Sequence, residues 1–347
     1  MKYRLFGKSG LRVSEIALGT MTIGNAWGWG SEKEVALEIL KKYSDLGGNF
    51  IDTACNYQDT QSEKIIGEFL KGDRDRYVVA TKYTLHDHRY LQDPNAGGNH
   101  RKNLLRTVRD SLERLQTDYI DVLYLHVWDG TTGLYEIMRT LNDLVSSTKV
   151  NYIAISDTPA WIAARANTIA ELRGWEPFSG FQFQYSLINR EPEREIIPFC
   201  NQTDVAMTSW GTLGSGLLTG KYTRNESSSG RLNRNSEIPA ERLALAKEVD
   251  SIADELGVTS AQTAIRWVMQ QGGVQIPIVG ATSPNQLEDS LQATDIELTE
   301  ESLKRLGSVV KFSDGFPVSM IKAPTVKSLI HGESYEKLEV HRQSPYF

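Results

Sequence analysis

The run Phe50-Ile51-Asp52-Thr53-Ala54-Cys55-Asn56-Tyr57 decides how the rest of the chain is read. It begins as a short apolar strand and ends in polar residues, with Asp52 at the strand end and Tyr57 just beyond it. The next strand-like run, Tyr77-Val78-Val79-Ala80-Thr81-Lys82, ends in a lysine. The one after it, Asp121-Val122-Leu123-Tyr124-Leu125-His126, ends in a histidine. A parallel barrel gathers its strand ends on one face, so Asp52, Tyr57, Lys82 and His126 are candidates for a single site.

Upstream of this core, residues 1–14 read as a hairpin around the Gly-Lys-Ser-Gly turn at 7–10, followed by the apolar run Ile16-Ala17-Leu18-Gly19-Thr20. Ser31 with Glu34, and Thr60 with Glu63, have the spacing of capping boxes and are expected to open two helices. Downstream, strand and helix signals alternate. Helical stripes run through Leu104, Val108, Leu112 and Leu115, then Ile137, Leu141 and Leu144, then residues 160–172, and later Ala261, Ala264, Ile265 and Val268. Apolar strands fall at 152–156, 181–184, 205–210 and 276–280. Eight short strands alternating with helices predict a (β/α)8 TIM barrel of the α/β class. An open doubly wound sheet is disfavoured, because no G-x-G-x-x-G follows the first strand. The chain reads as one domain, 1–347, with an N-terminal β-hairpin at 1–14, the barrel at 15–312 and a C-terminal tail at 313–347 that turns helical near 326–330. Residues 221–240 are polar and rich in Gly and Ser, and read as a long loop over the active face.

The chain of 347 residues is 40% hydrophobic and 24% charged, an ordinary globular composition. Its net charge of −6 leaves no basic footprint for nucleic acid. No apolar run approaches the ~18 residues of a membrane span, and the N-terminus lacks the apolar region of a signal peptide. Cys55 and Cys200 give neither a disulfide framework nor metal-ligand spacing, and Cys55 reads as a buried thiol. His86 and His88 form an H-x-H without further ligands, so no metal site is expected. The expected setting is cytoplasmic.

Taken singly, each of the four strand-end groups has an ordinary structural explanation. Converging, they form a proton donor. A phenol titrates near pH 10, an adjacent ammonium favours its ionised form, a carboxylate keeps that ammonium charged, and an imidazole orients a carbonyl oxygen. This arrangement suits carbonyl reduction. None of the four supplies hydride, so a cofactor must. A Schiff-base aldolase using Lys82 is the rival chemistry, and the paired Asp52 disfavours a neutral, nucleophilic lysine.

The run 52–57, the Thr81-Lys82 strand end, the segment Asp118-Tyr119-Ile120-Asp121 through His126, the run Lys149-Val150-Asn151-Tyr152-Ile153-Ala154-Ile155-Ser156 and the run from Gly214 through Tyr222 together resemble the aldo-keto reductase superfamily. The similarity extends from the hairpin to Leu298, and the tail resembles bacterial and fungal members outside the aldose reductase branch. The resemblance implies a barrel that binds NADP(H) without a Rossmann motif and interconverts aldehydes or ketones with alcohols. It implies Tyr57 as general acid, Lys82 as the group that lowers its pKa, Asp52 as the partner of Lys82, and His126 as the orienter of the carbonyl. It further implies carboxamide contacts at Ser156, Asp157 (where many members have Asn) and Gln182, and Trp210 stacked on the nicotinamide. Backbone contacts are implied at Thr20 and Met21, pyrophosphate contacts at Gly211, Leu213, Gly216 and Lys221, and further cofactor contacts at Thr282, Gln286, Asp289 and Ser290. The run Gly280-Ala281-Thr282-Ser283-Pro284-Asn285-Gln286 carries no cation where NADP(H)-preferring members usually place one. Arg231 or Arg234 is a possible substitute, and NAD(H) is the alternative cofactor. Trp27, Trp29 and Trp128, on active-face loops, predict a pocket for aromatic or hydrophobic carbonyl substrates. A cofactor-binding auxiliary subunit with little turnover is the other functional alternative, and the sequence leaves the oligomeric state open.

Overall fold

The computed structural model describes residues 1–87, 92–224, 238–332 and 337–339. Most of the expected long loop, together with Arg231, Arg234 and His88, lies outside the described residues.

The hairpin β1 (Tyr3–Leu5) and β2 (Arg12–Ser14) is antiparallel and stands apart from the main sheet. The main sheet is a closed, wholly parallel barrel. Its strands are β3 (Ala17–Gly19), β4 (Phe50–Asp52), β5 (Val78–Tyr83), β6 (Ile120–Leu125), β7 (Val150–Ser156), β8 (Gly180–Gln184), β9 (Ala206–Trp210) and β10 (Gln275–Val279). Each strand pairs with the next in sequence, and β10 closes the ring on β3. The (β/α)8 architecture read from the sequence is the one observed, with each expected strand in place.

Nine helices pack round the described barrel: α1 (Lys33–Asp45), α2 (Gln61–Phe69), α3 (Arg101–Leu115), α4 (Leu134–Ser146), α5 (Ala160–Arg173), α6 (Ile196–Thr203), α7 (Ala240–Leu256), α8 (Ser260–Met269) and α9 (Pro284–Leu291). They are followed by α10 (Glu300–Val309), α11 (Val318–Ile321) and α12 (Pro324–His331). Their apolar stripes face the strands: Leu104, Val108 and Leu115 of α3 are buried, while Arg101 and Lys102 stay exposed.

The barrel floor is apolar. Phe6, from the hairpin turn, packs edge-on against Phe50 with ring centroids 5.8 Å apart, among Val13, Ala17, Val78 and Ala80. Gly180 is required beneath that ring, since a Cβ there would lie 2.2 Å from Phe6 Cζ. The hairpin therefore covers the N-terminal end of the barrel.

Two expected helix starts are corrected. The N-cap of α1 is Glu32, not Ser31, and no side chain caps it. Ser31 is drawn instead into the loop after β3, where its N–H donates to Thr22 O at 2.7 Å. Thr60 does precede α2, but in a left-handed conformation (φ 75) with no side-chain cap. Glu63 does not reach back to it; it is fully buried, bonded to other elements. A capping box does form at Thr259 and Gln262, opening α8.

Candidate active site

Side chains alternate along a strand, so Asp52 and Lys82 project into the barrel while Thr53 and Thr81 face the helices. At the mouth, Lys82 Nζ donates to Asp52 Oδ2 at 2.6 Å, to the Thr53 carbonyl at 2.9 Å and to the Tyr57 hydroxyl at 3.3 Å. An ammonium has three protons, and all three are used. The remaining carboxylate oxygen, Asp52 Oδ1, accepts from Gln182 Nε2 at 2.9 Å. The Lys82 side chain is 0% exposed and that of Asp52 4%, so this is a buried, fully bonded ion pair.

The electrostatics follow from that packing. Burial works to lower the Lys82 pKa, but Asp52 and Tyr57 outweigh it and hold the ammonium charged. Burial raises the Tyr57 phenol above its ordinary value, with the Lys82 charge pulling the other way. The lowering expected from Lys82 is therefore present, but burial outweighs it, and the phenol keeps its proton at neutral pH. His126 lies beside it, ring centroids 6.0 Å apart at 77°. Burial, then the Lys82 charge, depress His126 well below 6.5, so its imidazole is neutral. Its Nδ1 is buried with no hydrogen-bond partner. Its backbone is fixed through Thr84, which in turn accepts from Asn99 at 2.8 Å.

These four residues converge, as the sequence led one to expect. The model of the aldo/keto reductase family matches residues 15–311. An aryl-alcohol dehydrogenase of Pestalotiopsis microspora is 40% identical over 91% of this chain and 84% of its own. A norsolorinic acid reductase of Aspergillus flavus is 34% identical, covering 92% and 84%. An aryl-alcohol dehydrogenase [NADP(+)] of Phanerodontia chrysosporium is 36% identical, covering 93% and 89%. The chain belongs to the aldo/keto reductase family.

In this aldo/keto reductase the other expected site residues fall as follows. Ser156 and Gln182 are register neighbours on β7 and β8. Ser156 Oγ is buried without a partner, and Gln182 is held by Asp52. Trp210, at the end of β9, donates from its indole to Asp157 Oδ1 at 3.0 Å. A hydroxyl without a partner, an amide bonded to Asp52 and an indole thus end three successive strands, and this set fits a nicotinamide carboxamide. Beyond β9, Gly211, Gly214, Ser215, Gly216 and Gly220 all have positive φ. Within this run the Gly214 and Gly216 N–H groups donate to Gly211 O and Leu213 O, both at 2.9 Å, and Lys221 stands at its end. Thr20 is buried, donating to Asp52 O at 2.9 Å, and Met21 O accepts from Gln58 Nε2.

After β10, both Thr282 donors point at Gln286 Oε1, at 2.9 and 3.1 Å. Asp289 accepts from Gln262 and Thr259, and Ser290 is buried. Trp27 stands 6.4 Å from the Tyr57 ring and 5.6 Å from Trp29. Trp128 meets Trp161 with ring centroids 6.0 Å apart and packs against the core. A cavity of about 570 Å³ opens next to Asp157, walled by Phe183, Pro192, Ile196 and Phe316, and touches none of the four converging residues.

Gln58 was not foreseen. It is buried and joins Met21 O to the N–H of Trp27. Its one sequence signal is that it directly follows Tyr57. Cys55 is also buried, and burial pushes its thiol pKa up. Among the described residues no group of three His, Cys, Asp or Glu side chains stands ready for a metal, and no helix is long and apolar enough to cross a membrane.

Proposed function

We propose that this aldo/keto reductase is an NADP(H)-dependent reductase of aromatic aldehydes and ketones, with Tyr57 as the proton donor. The observation that carries the reading is the single ammonium of Lys82 bonded at once to Asp52, the Thr53 carbonyl and the Tyr57 hydroxyl. The nicotinamide, when bound, supplies hydride to the carbonyl carbon. Tyr57 delivers the proton to the oxygen as negative charge develops there, and Lys82 stabilises the phenolate that remains. The neutral His126 has one N–H with which to orient the same oxygen. Ser156, Gln182 and Trp210 hold the nicotinamide end, and the loop 211–221 holds the pyrophosphate.

Trp27 beside Tyr57 favours a flat aromatic substrate, in keeping with the two relatives named as aryl-alcohol dehydrogenases. NADP(H) is favoured by the name of the Phanerodontia relative. The absence of a cation in residues 280–286 favours the second reading, NAD(H). We place the reaction in the cytoplasm, in keeping with two buried thiols that form no disulfide.

The test uses benzaldehyde with NADPH and with NADH. Tyr57→Phe is expected to quench tryptophan emission with nucleotide as the unmodified protein does, and to lose about 10²–10⁴-fold in turnover. Turnover within twofold of the unmodified protein would remove Tyr57 from its role. Tighter quenching by NADH than by NADPH would decide for the second cofactor.

A further inference from the structure

The loop that carries Tyr57 does not lie in a relaxed conformation. Gln58, Asp59 and Thr60 follow it with φ of 48, 51 and 75, three successive non-glycine residues in the left-handed region. Such a run persists only where its surroundings over-determine it. After Gln61, Ser62 and Glu63 are both 0% exposed.

Ser62 Oγ lies 2.9 Å from Thr53 Oγ1, 2.9 Å from Thr20 Oγ1 and 3.1 Å from Thr20 O. Three hydroxyls have three protons, and the Thr20 proton goes to Asp52 O at 2.9 Å. Thr53 then donates to Ser62, and Ser62 donates to Thr20, shared between its hydroxyl and its carbonyl oxygen. No hydroxyl is left over. Glu63 works on the opposite side. Its Oε1 accepts from Thr81 Oγ1 at 2.6 Å and its Oε2 from Arg114 Nε at 2.6 Å. Thr53 follows Asp52, and Thr81 precedes Lys82. The first turn of α2 is thereby tied to the outward side chains next to the two inward members of the ion pair.

We propose that Ser62 and Glu63 are positioning residues for catalysis: they lock the start of α2 onto β3, β4 and β5, and so keep the strained Tyr57 loop aimed at Lys82. This rests on the reading of Tyr57 as the proton donor. Neither residue touches the reacting atoms. Their effect passes through the Tyr57–Lys82 separation of 3.3 Å.

The experiment measures benzaldehyde reduction with NADPH by Ser62→Ala, and by Thr81→Val with Thr81→Ser as the conservative control. Active protein is counted by nucleotide quenching, so misfolded material does not enter the rate. A small misplacement of a catalytic group can cost up to about 100-fold. Ser62→Ala and Thr81→Val are therefore expected to lower kcat by about 10- to 100-fold, with KM and nucleotide affinity within about twofold. Thr81→Ser, which keeps the hydroxyl, is expected to recover most of the rate.

Moving Tyr57 from the ammonium also removes the influence that lowers its pKa. The alkaline limb of the reduction profile should shift to higher pH, a change that loss of stability alone would not cause. In a Tyr57→Phe background Ser62→Ala should have no further effect on residual turnover, because both act through the same contact. An unmoved kcat and alkaline limb in both Ser62→Ala and Thr81→Val, or full additivity with Tyr57→Phe, would overturn the proposal. Full turnover in Tyr57→Phe alone would instead overturn the reading of Tyr57 on which it rests.

Discussion

The floor of the barrel and its mouth are made by the same strands, two residues apart. Phe50 belongs to the floor and Asp52 to the mouth; Ala80 and Lys82, Ala154 and Ser156, and Ala206 and Thr208 repeat the step. At the floor, Phe6 and Phe50 are buried by apolar contact, which stabilises by ~1.5–3 kcal/mol per large side chain. At the mouth the buried side chains are polar, and burial by itself destabilises them. They persist because Lys82, Asp52 and Gln182 satisfy one another. One pleat along a strand thus separates the part of the molecule that supplies stability from the part that draws on it.

The sharpest way to break this contrast is Lys82→Met. It leaves the Asp52 carboxylate buried without its cation, and is expected to cost about 3–5 kcal/mol in stability together with nearly all turnover. Thermal melting and a rate assay on one sample would check both. Phe6→Ala should cost a similar ~3–5 kcal/mol through a cavity at the floor, but leave the rate per folded molecule nearly unchanged. A matching fall in rate would show that floor and mouth are coupled.

The smallest effect is one of pH. His126 is held neutral when folded and is free to protonate near 6.5 when unfolded. The unfolded chain therefore binds more protons below that pH, and stability should fall as the pH drops from about 6.5 towards the depressed folded value. His126→Gln should weaken this dependence, as followed by melting temperature across the acidic range.

Much of this was legible from local pattern. The strand ends at Asp52, Lys82 and His126 are apolar runs closed by one titratable residue, and the barrel rule does the rest. What escaped was set by long-range contacts. The Thr60–Glu63 spacing has the form of a helix cap, yet Glu63 is claimed by Thr81 and by Arg114, which is 51 residues away in sequence. Ser31 is claimed by Thr22. No window of neighbouring residues contains those partners.

The three spent protons of Lys82 have a further consequence. An enzyme that holds aldehydes near a lysine risks condensing with its own substrate, since an unprotonated amine attacks a carbonyl to give an imine. Here the nitrogen is fully enclosed and kept protonated by Asp52, so it has no lone pair to offer. On the proposed function, the contacts that make Lys82 useful to Tyr57 would also keep it inert to aldehydes passing above it, so that the site would not be consumed by its own substrates.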